Sequence, residues 1–450
     1  MDELSGRRVA VIGGGIAGLT AGFRLARKGC QVTVFEQKDH IGGRMRTVER
    51  DGYRVDVGAS FLSDAYREMR TLIEDAGFTD LVQATPDVIG FVRGGRTHRV
   101  RGRVPLDLVR TRLLGWRSKV ALATSLADLY RHRRVLDWTD PSQAAALDTE
   151  DIVTYARRKG FPDEAIDYLL EPFSVELCMA PAGELSVVNL FFFLNLALGN
   201  GFFNSPRGID FLPKALARDL HVEHRATVLA VENGPAGATV TWQPGSGAAS
   251  TEQFDGAILA LPAHAAAAVY PQFTESQREF LLHGPRYTKG VAVVLGLSQA
   301  PAEPAIWLTV PSREHDGLAA VVLDHNKAPG RAPAGKGLLS TYWERDWHKR
   351  HYGMDDEAVL DDAIPALAGV FPGLADHVEM SMIHRWDPYA VAWPVGSIKA
   401  LDGFLRSLDP RARVQLAGDY FSYECTNSSL ASGERAAARL AGAMHTGGSR

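Results

Sequence analysis

The stretch RVAVIGGGIAGLTAGFRLARKGCQVTVFE, residues 8 to 36, decides the fold of this chain. It contains an apolar segment (Val9 to Ile12), a glycine-rich turn, a helix-forming segment and a second apolar segment (Val32 to Phe35) closed by Glu36. This order predicts a strand, a tight turn, a helix and a parallel strand, which together form the first unit of a Rossmann-like α/β fold.

Each glycine of this turn is expected to have its own role. Gly13 permits the tight turn, Gly15 lets the backbone approach a pyrophosphate, and Gly18 lets the helix pack closely on the strand. The N–H groups at the helix N-terminus then face the phosphates, and Glu36 lies where a carboxylate accepts hydrogen bonds from ribose hydroxyls. The segment predicts dinucleotide binding, with a glycine-rich turn that binds no ligand as the alternative. The predicted contacts are Gly13, Gly15, Ile16, Ala17, Gly18 and Glu36.

A second glycine turn, Gly42-Gly43-Arg44, follows closely. It combines flexible backbone with a fixed positive charge, and a guanidinium can neutralise a pyrophosphate through two parallel hydrogen bonds. An ordinary surface turn is the alternative interpretation. Together the two turns resemble the start of the flavin-containing amine oxidase, protoporphyrinogen oxidase and phytoene desaturase superfamily. The resemblance implies that the cofactor is FAD and that Gly42, Gly43 and Arg44 contact it.

Three further segments resemble superfamily segments that contact FAD. The resemblance places residues 58–60 beside the flavin ring and the strand around Val228 against the adenine. In RVQLAGDYFSYECTNSSLASGERAAARLAG, residues 413 to 442, it places Asp419 on the ribityl or phosphate part and the following helix N-terminus at the flavin N1–C2=O edge. A plain strand-to-helix crossover without a ligand is the alternative. The contacts implied here are Gly58, Ala59, Ser60, Val228, Gly418, Asp419, Ser429 and Leu430.

The resemblance covers nearly the whole chain and implies two interleaved domains. A chain of 450 residues with 46% hydrophobic residues is sufficient for them. A discontinuous Rossmann-like FAD-binding domain is expected from residues 1–63, 206–286 and 396–446. A substrate-binding domain of mixed sheet plus helices is expected from residues 64–205 and 287–395.

Four residues resemble catalytic positions of the superfamily. Lys289 resembles the lysine that holds a water against flavin N5 in polyamine and monoamine oxidases, with a solvated strand-edge lysine as the alternative. By the same resemblance, Tyr389 falls on one wall of the aromatic cage of amine oxidases, and Trp393 lies nearby. Core packing is the alternative interpretation of both residues. Cys425 falls on the opposite wall, where the family has an aromatic residue, which argues against a simple amine substrate. Pro388 occupies the place of the flavin-attaching cysteine, so we expect non-covalent FAD.

The most apolar stretch is residues 169–213, with five phenylalanines between Phe191 and Phe203. Its opening Glu171-Pro172-Phe173 resembles the protoporphyrinogen oxidase pattern. Most of the stretch is expected to form core, and at least one phenylalanine is expected to line an apolar substrate chamber.

Composition excludes several other classes of protein. The net charge of −4 gives no general case for nucleic-acid binding. Three scattered cysteines argue against a disulfide framework. No metal-ligand spacing is evident, because His348 and His351 have no third partner in sequence, and we expect both to be surface residues.

A basic segment, residues 93–134, contains twelve arginines and lysines against two aspartates, with leucines and valines at helical spacing. Such a segment lies on an anionic membrane or forms a solvated helix face. Protoporphyrinogen oxidases carry membrane-contacting helices at about this place in the chain. The first residues contain no apolar signal segment, so a cytoplasmic protein is expected, with peripheral membrane contact left open.

The sequence therefore predicts an FAD-dependent oxidoreductase that dehydrogenates a largely apolar small molecule by hydride transfer to flavin N5. The bond that is oxidised would be a C–N bond or an activated C–C bond, and the reaction would have a biosynthetic role. The electrons would finally pass to molecular oxygen or to another acceptor. Lys289 and Tyr389 favour amine chemistry, whereas residues 169–213 and Cys425 favour a protoporphyrinogen oxidase-like or desaturase-like reaction. A non-redox isomerase or mutase with reduced FAD, and a partner- or membrane-binding protein that holds FAD structurally, are the alternatives.

Overall fold

The protein is described by a computed structural model that covers residues 4–197 and 199–446. Its strands are β1 (Arg8–Ile12), β2 (Gln31–Glu36), β3 (Thr47–Arg50), β4 (Tyr53–Asp56), β5 (Leu62–Ser63), β6 (Gln83–Ala84), β7 (Val88–Arg93), β8 (Arg96–Arg101), β9 (Phe202–Asn204), β10 (His221–His224), β11 (Ala226–Gly234), β12 (Gly237–Pro244), β13 (Ser250–Phe254), β14 (Gly256–Leu259), β15 (Arg286–Tyr287), β16 (Gly290–Leu297), β17 (Trp307–Thr309), β18 (Leu318–Leu323), β19 (Gly337–Trp343), β20 (Val378–Trp386), β21 (Val391–Ala392) and β22 (Val414–Leu416).

The α-helices connect these strands and cover them. They are α1 (Ile16–Ala26), α2 (Arg67–Asp75), α3 (Leu106–Arg110), α4 (Trp116–His132), α5 (Ile152–Arg158), α6 (Asp163–Ala165), α7 (Glu171–Cys178), α8 (Val187–Ala197), α9 (Phe211–Ala217), α10 (Ala263–Val269), α11 (Glu275–His283), α12 (Asp324–Lys327), α13 (Arg345–His351), α14 (Asp356–Val370), α15 (Ser397–Ser407) and α16 (Thr426–Thr446).

A five-stranded parallel sheet collects strands from distant parts of the chain. Its order is β10-β2-β1-β14-β22, and each neighbouring pair is parallel. Because β2 lies on one side of β1 and β14 on the other, the strand order reverses at β1. Ligands of open α/β sheets bind at such a switch point, at the carboxyl ends of the strands, and the glycine turn begins there. The predicted α/β fold class is confirmed.

A seven-stranded mixed sheet, in the order β20-β16-β19-β18-β17-β7-β8, forms the second layer. Its pairs are antiparallel except for β17 and β7, which are parallel. Every residue of β16 and β18 is buried. Their sequences are continuous apolar runs because both faces of each strand are covered by other parts of the protein.

The sequence pattern of residues 64–151 predicts mostly helix, and this prediction is wrong for β7 and β8. These strands form an antiparallel hairpin, whose turn residues Gly94 and Gly95 have φ of +59° and +68°. Two consecutive positive φ angles define the type I′ turn that joins adjacent strands. The basic residues of this hairpin therefore lie on the last two strands at one edge of the seven-stranded sheet. The first helix of the basic segment is α3.

The prediction that His348 and His351 are surface residues is also wrong, since both are buried. His348 Nδ1 accepts a hydrogen bond of 3.1 Å from the Val291 amide. The ring of His351 stacks on Trp347 with centroids 4.0 Å apart. Both histidines therefore have packing roles in the core.

No helix within residues 4–197 and 199–446 is long and apolar enough to cross a membrane. The phenylalanine-rich helix α8 instead contributes Phe191, Phe192 and Phe193 to the buried core.

Helix α1 packs closely on α16 and on the glycine turn because two glycines have no Cβ. A Cβ at Gly433 of α16 would lie 2.1 Å from the carbonyl oxygen of Ala17. A Cβ at Gly18 of α1 would lie 2.0 Å from the carbonyl oxygen of Gly13. Backbone atoms at these distances leave no room for a side chain. The first turns of both helices are thereby fixed against the glycine turn.

We therefore expect Gly433→Ala to lower the free energy of unfolding by about 1–3 kcal/mol, the usual cost of overpacking a close contact. The matched control is Gly442→Ala in the same helix, where the added Cβ meets nothing within 4 Å. Alanine is the better helix former, so this variant should be as stable as the parent or slightly more stable. Chemical denaturation measures both, and equal stability of the two variants would contradict the packing account.

Candidate functional site

A cavity of about 570 Å³ begins where β1 and β2 end and continues to the seven-stranded sheet. Ile12 and Glu36 line one end, and Trp307 and Tyr342 line the other. The first end is built from backbone turns and helix starts, whereas the second has aromatic walls. The space therefore suits an elongated polar ligand that reaches an apolar chamber.

The glycine turn gives the cavity a wall of bare backbone. Gly13 has φ of +105°, and a Cβ there would lie 2.4 Å from the Ala260 carbonyl oxygen. At Gly15, by contrast, nothing lies within 4 Å of the Cβ position. Gly15 precedes α1 without any side-chain capping hydrogen bond, so the helix N-terminus keeps amide groups available. An uncapped helix start of this kind suits a phosphate.

Glu36 places a carboxylate at the carboxyl end of β2. Its Oε2 accepts a hydrogen bond of 2.9 Å from the Gly14 amide, and its Oε1 accepts one of 2.9 Å from the Lys38 amide. The side chain is held rigidly and also lines the cavity. Val228 of β11 lines the same end. This arrangement fits an adenosine whose ribose hydroxyls donate to Glu36.

The second glycine turn lies directly against the first. The Gly42 amide donates a 2.8 Å hydrogen bond to the Gly14 carbonyl oxygen, and Gly15 and Gly42 form a parallel bridge. Gly42 and Gly43 have φ of +99° and +56°, and a Cβ at Gly43 would lie 3.4 Å from the Gly15 Cα atom. The two turns together form one backbone cradle.

Arg44 connects this cradle to the C-terminal part of the chain. One of its guanidinium nitrogens donates to Asp419 Oδ2, and the other donates to the Tyr389 carbonyl oxygen at 3.1 Å. Tyr287 donates its hydroxyl to Asp419 Oδ1 at 2.7 Å. Burial opposes the charge of Arg44, but Asp419 outweighs it and holds the pKa of Arg44 above its ordinary value. The guanidinium is therefore a permanent positive charge in the cavity wall.

The first turn of α16 also faces the cavity. Cys425, Thr426 and Ser429 line it at this point. Gly418 precedes them with φ of +150°, and its amide donates a 2.9 Å hydrogen bond to the Ser432 hydroxyl. The positive end of a second helix dipole thus points into the same space as that of α1.

The turn formed by Gly58, Ala59 and Ser60 lies where the two ends of the cavity meet. A Cβ at Gly58 would lie 2.1 Å from the Arg44 carbonyl oxygen, and the Ala59 amide donates to that oxygen at 2.9 Å. The Tyr342 hydroxyl donates a hydrogen bond of 3.3 Å to Ser60 Oγ. This turn therefore joins the arginine to the aromatic chamber.

The structure brings most of the predicted cofactor residues together around one space. Gly18 and Leu430 are not in the lining; Gly18 packs behind the glycine turn, and Leu430 is fully buried. The predicted cofactor residues that line the cavity are Gly13, Gly15, Ile16, Ala17, Glu36, Gly42, Gly43, Arg44, Gly58, Ala59, Ser60, Val228, Gly418, Asp419 and Ser429.

The predicted catalytic residues divide into two groups. Tyr389 and Cys425 line the cavity, and Ser428 packs against the Cys425 thiol with its hydroxyl 3.0 Å from Sγ. Trp393 lies outside the lining, buried, and its carbonyl oxygen accepts hydrogen bonds from Ser186 and Asn189. It is a packing residue in this structure.

Lys289 does not reach the cavity. Its Nζ lies 2.6 Å from Asp387 Oδ2, and its side chain is 59% exposed. The sequence identifies the strand that it precedes but not the direction of the side chain, which is toward solvent and a carboxylate. The position gives no support to the predicted role of Lys289 in holding a water at the flavin.

The second end of the cavity has mainly apolar and aromatic walls. Trp307 contacts Tyr342 with centroids 4.9 Å apart and Phe61 with centroids 5.4 Å apart. Phe173, Phe193 and Phe202 from the phenylalanine-rich stretch and its surroundings also line it. The structure thus places several of the expected phenylalanines in the lining.

Two carboxyl groups in this chamber were missed from the sequence, Glu176 and Glu424. Burial raises the pKa of Glu176 to about 8 and holds the pKa of Glu424 well above its ordinary range. Glu424 accepts a hydrogen bond from the Val391 amide. A signal existed for Glu176, because it is an acidic residue between Val175 and Leu177 in the most apolar stretch of the chain.

The fold and the cavity define an α/β protein of the dinucleotide-binding class. Residues 16–441 match the model of the flavin containing amine oxidoreductases, and the chain belongs to this family. The family is one of flavin-containing oxidoreductases. The bare backbone cradle, the uncapped helix start and the carboxylate described above fit a flavin nucleotide.

Three individual proteins that are similar to this chain are oxidases. Protoporphyrinogen oxidase 2 of Arabidopsis thaliana is 28% identical over 42% of this chain, a match that spans 36% of the plant protein. Coproporphyrinogen III oxidase of Bacillus subtilis is 23% identical over 90% of this chain and 92% of its own length. Cyclohexylamine oxidase of Brevibacterium oxydans superimposes with a TM-score of 0.74 at 18% identity, covering 98% of this chain and 99% of its own, which shows the shared fold.

We expect Arg44→Met to lower the free energy of unfolding by about 1–3 kcal/mol, because the buried Asp419 carboxylate loses its charged partner. The purified variant should also retain less flavin. Adding Asp419→Asn should recover part of the stability, since no unpaired charge then remains. The matched control is Arg7→Met, which breaks a partly exposed ion pair with Asp255 and should cost less than about 1 kcal/mol. Equal losses in both single variants would contradict this account.

Proposed function

We propose that the protein is an FAD-dependent oxidoreductase that dehydrogenates a largely apolar small molecule at a C–N or activated C–C bond. One observation carries this proposal. A single cavity joins the backbone cradle and Glu36 to a chamber with aromatic walls. A dinucleotide held at the first end would therefore share a continuous space with a substrate held at the second end.

The residues of the first end would hold FAD along its length. Glu36 and Val228 would contact the adenosine, and Gly15 with the start of α1 would contact the pyrophosphate. On this proposal, the FAD-binding domain is built from residues 1–63, 206–286 and 396–446. When bound, the flavin supplies an acceptor for a hydride from a substrate C–H bond.

The chain's own residues would then position the substrate, exclude water and stabilise charge. Trp307 and Tyr342 orient a flat or apolar substrate and exclude water from the chamber. The N-terminus of α16 stabilises nearby negative charge by about 0.3–1 kcal/mol. Relatives that attach their flavin covalently would need a cysteine at the position of Pro388. We therefore propose that FAD is bound non-covalently.

Within this class we favour a biosynthetic oxidation of an apolar or heteroaromatic substrate. Cys425 lies in the cavity where a two-walled aromatic cage would need a second ring. The relative from Bacillus subtilis, which matches this chain over 92% of its own length, is named as a coproporphyrinogen III oxidase. Tyr389, which lines the cavity, keeps amine oxidation as the second candidate.

We expect anaerobic addition of the correct substrate to bleach the visible absorption of the bound flavin. A direct panel contains coproporphyrinogen III, protoporphyrinogen IX, cyclohexylamine and putrescine. Readmission of oxygen or of another acceptor should restore the absorption. Acid precipitation of the same preparation should leave flavin in the supernatant, where it should chromatograph as FAD.

The alternatives give different results in this experiment. An isomerase or mutase would act only after chemical reduction of its flavin, without net bleaching by substrate. A protein with a purely structural FAD would remain yellow with every compound, even in a wider panel. A correctly folded but colourless protein that refuses added FAD would contradict the proposal itself.

We also propose peripheral contact with an anionic membrane through the surface of α3 and α4. Large apolar side chains are exposed here, among them Val109, Trp116 and Tyr130, which are 63%, 72% and 67% exposed. Exposed basic residues stand among them, including Arg110 and Arg117. An apolar and basic surface of this kind matches an anionic lipid interface.

The holoprotein should therefore sediment with vesicles of phosphatidylcholine and phosphatidylglycerol, and less with phosphatidylcholine alone. Arg117→Gln should weaken the binding about fivefold, since one basic residue contributes about 1 kcal/mol near such a surface. Trp116→Ser should weaken it further. The control, Leu282→Ser, removes an exposed leucine from α11 and should change nothing. Binding that survives both changes on α4 would overturn the proposal.

A further inference from the structure

We propose that Glu176 determines substrate specificity by binding a nitrogen of the substrate, either an ammonium group or an N–H donor. The inference rests on the proposed function and narrows its substrate class to apolar molecules with one such nitrogen. It starts from the position of this carboxyl, which belongs to α7 and lines the aromatic chamber.

The fold leaves the Glu176 carboxyl incompletely paired within the described part of the chain. Only 5% of the residue is exposed, and its Oε1 has no hydrogen-bond partner within residues 4–197 and 199–446. The side chains of Thr309 and Trp307 lie beside the carboxyl and favour its charged form, but Oε1 lacks a partner in good hydrogen-bond geometry, as does Thr309 Oγ1 in the described chain. Buried polar atoms are nearly always paired in native proteins, so an incompletely paired carboxyl in the wall of a cavity is a candidate site for a ligand donor.

The other carboxyl of the chamber does not share this property. Glu424 accepts a hydrogen bond from the Val391 amide, so its place in the wall has a structural reason. Glu171, on the same helix as Glu176, accepts a 2.9 Å hydrogen bond from the Ala182 amide. Glu176 differs from these two glutamates in that one of its oxygens is both buried and unpartnered in the described chain.

The location of Glu176 would position the rest of the substrate. Its neighbour Trp307 contacts Tyr342, and the Tyr342 hydroxyl donates to Ser60 Oγ at 3.3 Å. Ser60 belongs to the turn expected beside the flavin ring. A nitrogen held at Glu176 would thus anchor a substrate whose apolar body extends along these rings toward that turn.

The electrostatics of the free site agree with binding of a cation. Burial, with a smaller contribution from the carboxyl of Glu344, raises the pKa of Glu176 to about 8, although the side chains of Thr309 and Trp307 act to lower it. The side chain is therefore largely neutral at pH 7 when the site is free, which avoids a buried unpaired charge. An ammonium group beside it would favour the carboxylate form. Charge would appear in the chamber only together with its partner.

The test measures binding to the oxidised holoprotein from the shift of the flavin absorption spectrum. Matched pairs such as cyclohexylamine with cyclohexanol and benzylamine with benzyl alcohol serve as probes. The parent protein should bind at least one amine more tightly than its alcohol. Glu176→Gln keeps the shape but loses the charge, and should weaken amine binding by about tenfold or more. Alcohol binding should change less than about twofold.

A second measurement separates recognition from a structural role. Because Glu176 Oε1 has no partner to lose, Glu176→Gln should be at least as stable to denaturant as the parent. The control, Glu171→Gln on the same helix, should leave the preference for amines unchanged. The assignment is overturned by a less stable Glu176→Gln protein, by an amine preference that survives this substitution, or by no preference in the parent.

Failure of this assignment differs from failure of the proposed function. A protein without bound flavin, or one whose flavin no compound bleaches, would contradict the function. A yellow protein that is bleached by a substrate but discriminates amines equally well with and without the Glu176 carboxyl would contradict only the assignment.

Discussion

The close approach of α1 and α16 is the constraint on which the rest of the structure depends. With Gly433 against the Ala17 carbonyl oxygen, the first turns of both helices end at the same cavity. Two positive helix ends side by side are unfavourable unless negative charge lies nearby. The protein itself supplies Glu36 and Asp419, and a phosphate-containing cofactor would supply more. The packing of two glycines thus creates both the space for an anionic ligand and the field that favours it.

Buried ion pairs hold the hairpin of β3 and β4 against the segment that follows β18. Asp56, which ends β4, pairs with Lys327 and Arg331, and all three side chains are fully buried. Burial disfavours the charge of Asp56, yet the two cations hold its pKa below the ordinary value. Because removing one partner would leave an uncompensated buried charge, this cluster tolerates little displacement. The chamber wall therefore keeps a defined position relative to the cradle.

The sequence was most informative where a local backbone geometry demands particular residues. Gly13 and the turn at residues 42–44 could be identified because only glycine permits such φ angles and contacts. The pairing of β7 with β17, more than two hundred residues away, leaves no local pattern, whereas the hairpin of β7 and β8 has a local signal in Gly94-Gly95 that the basic composition of the segment obscured. Lys289 shows the same limit for side chains, since its ion-pair partner Asp387, which itself lines the cavity, is brought near only by the fold.

The chamber differs from the buried cluster around Asp56, and this difference carries information about function. Around Asp56 each buried charge has a partner of opposite sign, and the apolar run of α8 forms packed core. In the chamber a carboxyl is buried without a partner for one of its oxygens, and a thiol occupies the place of an expected ring. Such features cost stability and are expected at functional sites rather than in scaffolds. On the proposal above, Glu176 would be explained by a ligand, and the wall that contains it would decide which apolar molecule is oxidised.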